Sequence, residues 1–177
     1  MIKFTYLFWS GDRMAVISKS LSIDSSCKFQ IMDITQDIMK ILNEINENRD
    51  DSKISNGIVN IFSKHSTSAI CINENERGLL SDFEKVLKDI VKENDNYRHD
   101  FIDNNAASHI RAFLLGSSET IPIVDGRLNL GTWQSIFFVE MDGPRRNRTI
   151  DLTFIGEWLS LMDGRLVREM AIVYTDW

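Results

Sequence analysis

Apolar and polar positions alternate from the start of the chain, with Ile2, Phe4, Tyr6 and Phe8 on one side of an extended segment and Lys3 and Thr5 between them. Leu7 and Trp9 break the polar side, so this segment reads as a strand buried on both faces. Residues 14–23 form a second strand, with Ala15 and Ile17 set against Ser18 and Lys19. After Asp33-Ile34-Thr35 the period changes. Ile38, Ile41, Leu42 and Ile45 fall on one stripe of a helix over about 35–47, with capping side chains just ahead of it. The polar run 46–56 reads as a solvated connection. Strands follow at 57–63 and 69–73, then a helix at about 79–91 with Phe83, Val86, Leu87 and Ile90 on one face. A short helix at about 106–115 carries Ile110, Phe113 and Leu114 and stops at Gly116. Strands at 120–124, 127–130, 134–141 and 149–155 complete the pattern. Val124-Asp125-Gly126-Arg127 and Met141-Asp142-Gly143-Pro144 read as hairpin turns. Together these elements predict an α+β fold, a single compact domain over 1–177 with mainly antiparallel sheet packed with about three helices.

Composition agrees with that and narrows the partners. A chain of 177 residues that is 43% hydrophobic can bury a core without disulfides or structural metal. Its two cysteines, Cys27 and Cys71, form no CxxC, which fits reduced thiols of a cytoplasmic protein. The net charge of -6, with no basic stripe, argues against nucleic acid as partner. The apolar opening segment is too short to span a membrane, and it lacks the flanks of an export signal. No GxxxxGK[ST], GxGxxG or GxSxG occurs, which removes the P-loop, dinucleotide-binding and nucleophile-elbow classes.

The chain's three histidines, His65, His99 and His109, fall in one stretch and at the ends of predicted elements. Hydroxyl, amide and carboxylate residues flank each. Imidazole suits zinc and similar divalent ions, and three protein ligands with an open position is the catalytic arrangement. Glu74 follows a strand that begins just after His65, so it reads as a ligand or general base, or else as part of a polar run capping the next helix. Arg145, Arg146 and Arg148 cluster after Gly143-Pro144, and Gly116-Ser117-Ser118 sits in a loop; these are candidate oxyanion contacts, with a solvated hairpin as the plainer reading of the arginines.

Several blocks together resemble one family. His65-Ser66-Thr67-Ser68-Ala69-Ile70-Cys71-Ile72-Asn73-Glu74-Asn75, Tyr97-Arg98-His99-Asp100, Ser108-His109-Ile110 running to Leu115-Gly116-Ser117-Ser118, and Gly131-Thr132-Trp133-Gln134 with Glu140 to Arg145 are similar to the YjbQ family, the UPF0047 group named for secondary thiamine-phosphate synthase activity. The resemblance covers about 20–157. It implies a homotrimer, a divalent-metal site (zinc or magnesium) built around the histidines, and a small phosphorylated substrate. The implied reaction is that of a metal-dependent transferase joining hydroxymethylpyrimidine diphosphate to thiazole phosphate with release of pyrophosphate. On this reading His65, His99 and His109 are metal ligands and catalytic residues, and Glu74 is the general acid/base or a fourth ligand. Arg145 meets phosphate, assisted by Ser117 and Ser118. Trp133 packs beside a buried strand and Gln134 is a further candidate for the site. The same residues would serve a metal-dependent phosphohydrolase, or a non-catalytic trimer that binds metal or phosphate.

Two features depart from the family pattern. Many relatives read Glu-Asn-Ala-Asp where this chain has Glu74-Asn75-Glu76-Arg77, which places a cation near the expected pocket. The chain also carries extensions on both sides of the core. In the second, Trp158, Leu159, Leu161 and Met162 precede Asp163-Gly164, and Leu166 to Tyr174 is apolar again. Both extensions are expected to pack on the core and to pair with each other, with Ala171 to Tyr174 as a buried strand and no ligand from either.

Overall fold

The computed structural model describes residues 4–9, 12–47, 52–162 and 165–167. Its strands are β1 (Phe4–Trp9), β2 (Asp12–Ile23), β3 (Gln30–Asp33), β4 (Ser52–Ser63), β5 (Ser68–Glu74), β6 (Ser118–Val124), β7 (Arg127–Leu128), β8 (Gln134–Glu140), β9 (Arg148–Met162) and β10 (Arg165–Val167). The helices are α1 (Thr35–Glu47), α2 (Arg77–Ile90) and α3 (Ala106–Leu115), with a 3-10 turn at Arg98–Phe101. Every strand pairing among the described residues is antiparallel. One sheet runs β1-β2-β9-β4-β6-β7, with β10 on β9, and a second runs β3-β8-β5.

Strand β8 explains how the layers stack. Its consecutive apolar residues are buried on both faces: Ile136 and Phe138 join the core that α1 and the large sheet share, while Phe137 and Val139 face a second cluster with Leu87 of α2 and Ala112 of α3. The small sheet is therefore a middle layer. Helix α1 inserts Ile38, Leu42 and Ile45 into the first core. Its start is held where the Asp33 carboxylate accepts the Thr35 N–H at 2.9 Å and Thr35 Oγ1 accepts the Ile136 N–H at 2.8 Å.

The structure corrects several sequence expectations. Strand β4 begins at Ser52, inside the stretch expected to be a connection, because the extended β9 supplies partners for Ser52 to Ile54 across a register shift before Gly57. Helix α2 buries Leu87 but leaves Val86 and Ile90 exposed. Helix α3 turns its small side inward, burying Ala106, Ala107, Ser108, Arg111 and Ala112, while Phe113 is 90% exposed and Leu114 is exposed too. Of its inward polar groups, Arg111 donates from Nη2 to the Val91 carbonyl at 2.5 Å and from Nη1 to Glu93 at 2.6 Å, while its buried Nε has no partner among the described residues.

Asp125 and Gly126 both take positive φ and close the β6/β7 hairpin as expected. The segment after Met141 is no hairpin, because it carries the chain from the small sheet to the large one. Glycine is required at 143, where a Cβ would collide with the Cys27 carbonyl oxygen. Among the described residues β1 of the first extension pairs with β2, and β10 of the second pairs with β9. The strand expected at Ala171 to Tyr174 lies outside the described residues. Among the described residues no helix is long and apolar enough to cross a membrane. Cys27 and Cys71 are free thiols, and burial, with a smaller push from Glu119, raises the Cys71 thiol to about 11.

Candidate functional site

His65 stands in the turn between β4 and β5. Ser63 and Ser68 share a buried 2.6 Å hydrogen bond across the base of that turn, and Ser68 Oγ donates to the His65 carbonyl at 3.3 Å. The ring is held from the other side, with Nε2 accepting the Thr149 N–H at 2.8 Å. Thr149 follows Arg148, whose Nε and Nη2 each reach Glu140 at 2.6 Å. Glu140 is completely buried and fully engaged. Besides Arg148 it accepts from Ser25 Oγ and from the N–H groups of Met141 and Asp142. Arg148 Nη2 also donates to Thr67 Oγ1 at 3.0 Å. A buried ion pair is tolerated when its remaining polar positions are satisfied in this way. Burial lowers the His65 pKa below 6.5, the Arg148 charge lowers it further, and Glu140 opposes them.

Helix α3 brings the second histidine. Ser108 Oγ donates to the Met141 carbonyl at 2.5 Å, which docks the first turn of α3 on the end of β8 and sets His109 beside His65. The 3-10 turn carries His99, whose ring meets that of His109 edge to face with centroids 4.9 Å apart. His99 Nε2 is buried and has no protein partner among the described residues. Two hollows flank α3. The first, about 230 Å3, is lined by His65, Ser66, Ser68, His109, Phe113 and Ser117 among others. The second, about 420 Å3, is lined by Tyr97, Arg98, His99, His109, Ile110 and Phe113 together with Ala106. His109 and Phe113 line both.

Other candidates lie elsewhere. Ser118 starts β6 and accepts from Asn60 Nδ2 at 2.9 Å, outside both linings. Arg145 is half exposed, bonded to Asp142 at 2.8 Å, and lines neither hollow. Glu74 pairs with Gln134 at the opposite end of β5 from His65, roughly 20 Å away by strand rise, so the expected reach to His65 is absent within the chain. Glu76 caps α2, accepting the N–H groups of Gly78 and Leu79 at 2.7 Å each, and Arg77 begins that helix. Neither Glu76 nor Arg77 lines either of the two hollows beside α3. Trp133 is 72% exposed and packs in no core, while Gln134 accepts the Gly131 N–H at this same far end.

A three-histidine metal centre does not fit this arrangement. The Nε2 lone pair of His65 is taken by a backbone N–H, and no three His, Cys, Asp or Glu side chains converge as a metal site among the described residues. His99 and His109 alone are suitably placed, two rings in contact with one orphaned nitrogen. Sequence reasoning did not single out the Glu140–Arg148 pair. The available signal was a carboxylate closing the apolar run Ile136 to Val139, which has to find a cation if that run is buried.

Comparison with known proteins places this architecture. The family model described as UPF0047 protein YjbQ-like matches residues 19–157. The chain belongs to the YjbQ/UPF0047 family. Among YjbQ relatives, a UPF0047 protein of Methanothermobacter thermautotrophicus is 49% identical over 147 residues, covering 83% of this chain and 97% of the relative. A UPF0047 protein of Archaeoglobus fulgidus is 40% identical over 130 residues, covering 73% and 95%. A solved YbjQ-like protein of unknown function from Sulfolobus solfataricus superposes with a TM-score of 0.75 at 38% identity, covering 81% of this chain and 99% of that one. The stretch matched to the YjbQ family contains all three histidines and the Glu140–Arg148 pair, and excludes β1 and β10.

Proposed function

We propose that this YjbQ-family chain joins two small phosphorylated substrates in the manner of a thiamine-phosphate synthase. The observation that carries the reading is the pair of hollows that share His109 and Phe113 in their linings. A condensation needs two binding sites with one shared boundary at which the reacting atoms meet. The thiazole nitrogen attacks the methylene carbon of the pyrimidine, a C–N bond forms, the C–O bond to the diphosphate breaks, and pyrophosphate departs with that electron pair. Charge on the leaving group is then the main demand on the protein. Arg98 in the larger hollow, and His65 and Ser117 in the smaller one, offer donors to it. Arg145, next to the start of α3 through the Asp142–Asn105 hydrogen bond, is the outer phosphate contact. Were a divalent ion bound, the His99 and His109 imidazoles would hold it, a donor pair that suits zinc and not magnesium, and it would supply further positive charge there.

The surface beside the hollows supports self-association. Phe113 is 90% exposed and Phe101 is 92% exposed, with Ile102 and Leu114 also in solvent. Apolar groups this prominent mark an interface, and a homotrimer that covers them would enclose both hollows at its boundaries. Light scattering should return the mass of three chains; a monomer mass would remove this part of the reading.

The catalytic part is tested by incubating the protein with hydroxymethylpyrimidine diphosphate and thiazole phosphate, with and without chelator, beside a generic phosphate ester. Thiamine phosphate and pyrophosphate in equal amounts support the transferase. Phosphate release from the ester points to a hydrolase, and binding without turnover to a non-catalytic role.

A further inference from the structure

The polar cluster behind the smaller hollow dictates how His65 presents itself. A neutral imidazole has one donor and one acceptor nitrogen. The Thr149 backbone N–H can only donate, and at 2.8 Å from Nε2 it requires a lone pair there. The ring proton of His65 is therefore on Nδ1. This is a constraint on the tautomer, independent of any ligand.

Two tethers hold donor and acceptor in place. Arg148 is adjacent to Thr149 in the chain and bonds Thr67, two residues beyond His65, while Glu140 grips the guanidinium at two points from below. The Lys64 N–H donates to the Thr149 carbonyl at 3.2 Å, so the segments are also bracketed through backbone on the other side of His65. Moving His65 away from Thr149 would break this bracket and disturb a charge pair that is buried.

We propose that the Glu140–Arg148 pair is a positioning device that locks His65 as the Nδ1–H tautomer, making it a hydrogen-bond donor to an anionic oxygen of the ligand in the smaller hollow, and not a metal ligand. A protonated nitrogen has no lone pair for a cation, and the other nitrogen is engaged. Ser66 and Ser117 line the same hollow and add hydroxyl donors, which suits a phosphoryl group. Protonating the ring would set two donors against each other at Nε2, and burial and the Arg148 charge separately disfavour the protonated ring. This role rests on the reading that the hollow takes a phosphorylated ligand, and the experiment separates the two.

Two-bond proton–nitrogen correlation spectra of protein labelled with nitrogen-15 histidine report each tautomer directly, with His65 assigned through the signals lost in His65→Gln. The wild type should show a protonated Nδ1 and a bare Nε2. Arg148→Lys, which keeps the charge but loses the fork, should give a mixed tautomer. Thr67→Val, which removes one tether with little change of volume, is the companion variant should Arg148→Lys fail to fold. Inorganic pyrophosphate should shift the His65 Nδ1 proton signal downfield, and added zinc should move His99 and His109 signals while leaving His65 unmoved. A protonated Nε2 in the wild type, an unaltered tautomer in the variants that fold, a zinc-dependent shift at His65, or no response to pyrophosphate would each overturn the proposal. Lack of thiamine phosphate formation alongside the expected spectra would sink the transferase reading and leave the role of His65 standing.

Discussion

The two ends of the small sheet, built from the same strands, differ in almost everything else. At the end near His65, Ser68 pairs with Glu140, and that carboxylate is buried among Arg148, Ser25 and two backbone N–H groups. At the other end Glu74 pairs with Gln134, and the polar contacts are exposed ones, such as Asn75 to Asp33 at 2.8 Å and Gly131 to Gln134 at 2.8 Å. Trp133 stands in solvent beside them. Both ends are rich in residues that chemistry favours. Among the described residues the first has a second layer of partners that fixes direction and protonation, Arg148 and Thr149 of β9, which lie 81 and 84 positions along the chain from the Thr67 and His65 they hold.

The sharpest way to break this contrast is to cut each end at its carboxylate. Glu140→Gln leaves the Arg148 charge buried without its partner and should cost about 3 to 5 kcal/mol in urea unfolding. Glu74→Gln should stay within about 0.5 kcal/mol of the wild type. Equal costs would mean that the ends are held alike.

Activity gives the next contrast. His109→Ala should lower kcat/KM for thiamine phosphate formation about 100-fold or more, while Glu74→Gln should leave it near the wild-type value. A comparable loss at Glu74 would show that assembly brings the far end of one copy to the hollow of another.

Smaller still is the effect at Arg145, a half-exposed group that lines neither hollow. Arg145→Ala should weaken pyrophosphate binding in calorimetry about tenfold, or about 1.4 kcal/mol, and change stability by less than about 1 kcal/mol. Unchanged affinity would make the arginine a partner of Asp142 and nothing more.

The least effect is expected from pH. Burial raises the Asp142 pKa, but hydrogen bonds from Arg145 and Asn105 outweigh it and hold the carboxyl below 3.8. With the folded value depressed, the unfolded state binds more protons between the two values. The stabilisation is thus present above 3.8 and disappears as pH falls through the folded value. In urea unfolding, the gap between wild type and Asp142→Asn should narrow on acidification below 3.8; a constant gap would mean that the contacts of Asp142 do not favour its charged form.

The sequence made much of this legible where local pattern and local physics coincide. Helix α1 runs over 35–47, as its Ile38, Leu42 and Ile45 spacing predicts, and α3 ends at Gly116 because its φ of 89° suits glycine. Where distant partners decide, local pattern misleads. Phe113 looks like a core residue of α3, yet the inward side goes to Ser108 and Arg111 because Met141, Val91 and Glu93 receive them. Trp133 precedes a buried strand without being covered by it. Glu74 and His65 are near in sequence but at opposite ends of one strand, since an extended chain gains about 3.3 Å with every residue. The arginines after Pro144 looked equivalent, and only the fold separates Arg148, drawn inside by Glu140, from Arg145 at the surface.

The sharing of His109 and Phe113 by both hollows also constrains how such a protein can change over generations. Neither residue can be exchanged to refit one hollow without altering the shape of its neighbour. Variation that retunes a single ligand must therefore fall on the unshared residues, Ser66 and Ser117 on one flank or Tyr97 and Arg98 on the other, while a substitution at a shared residue is selected on both ligands at once.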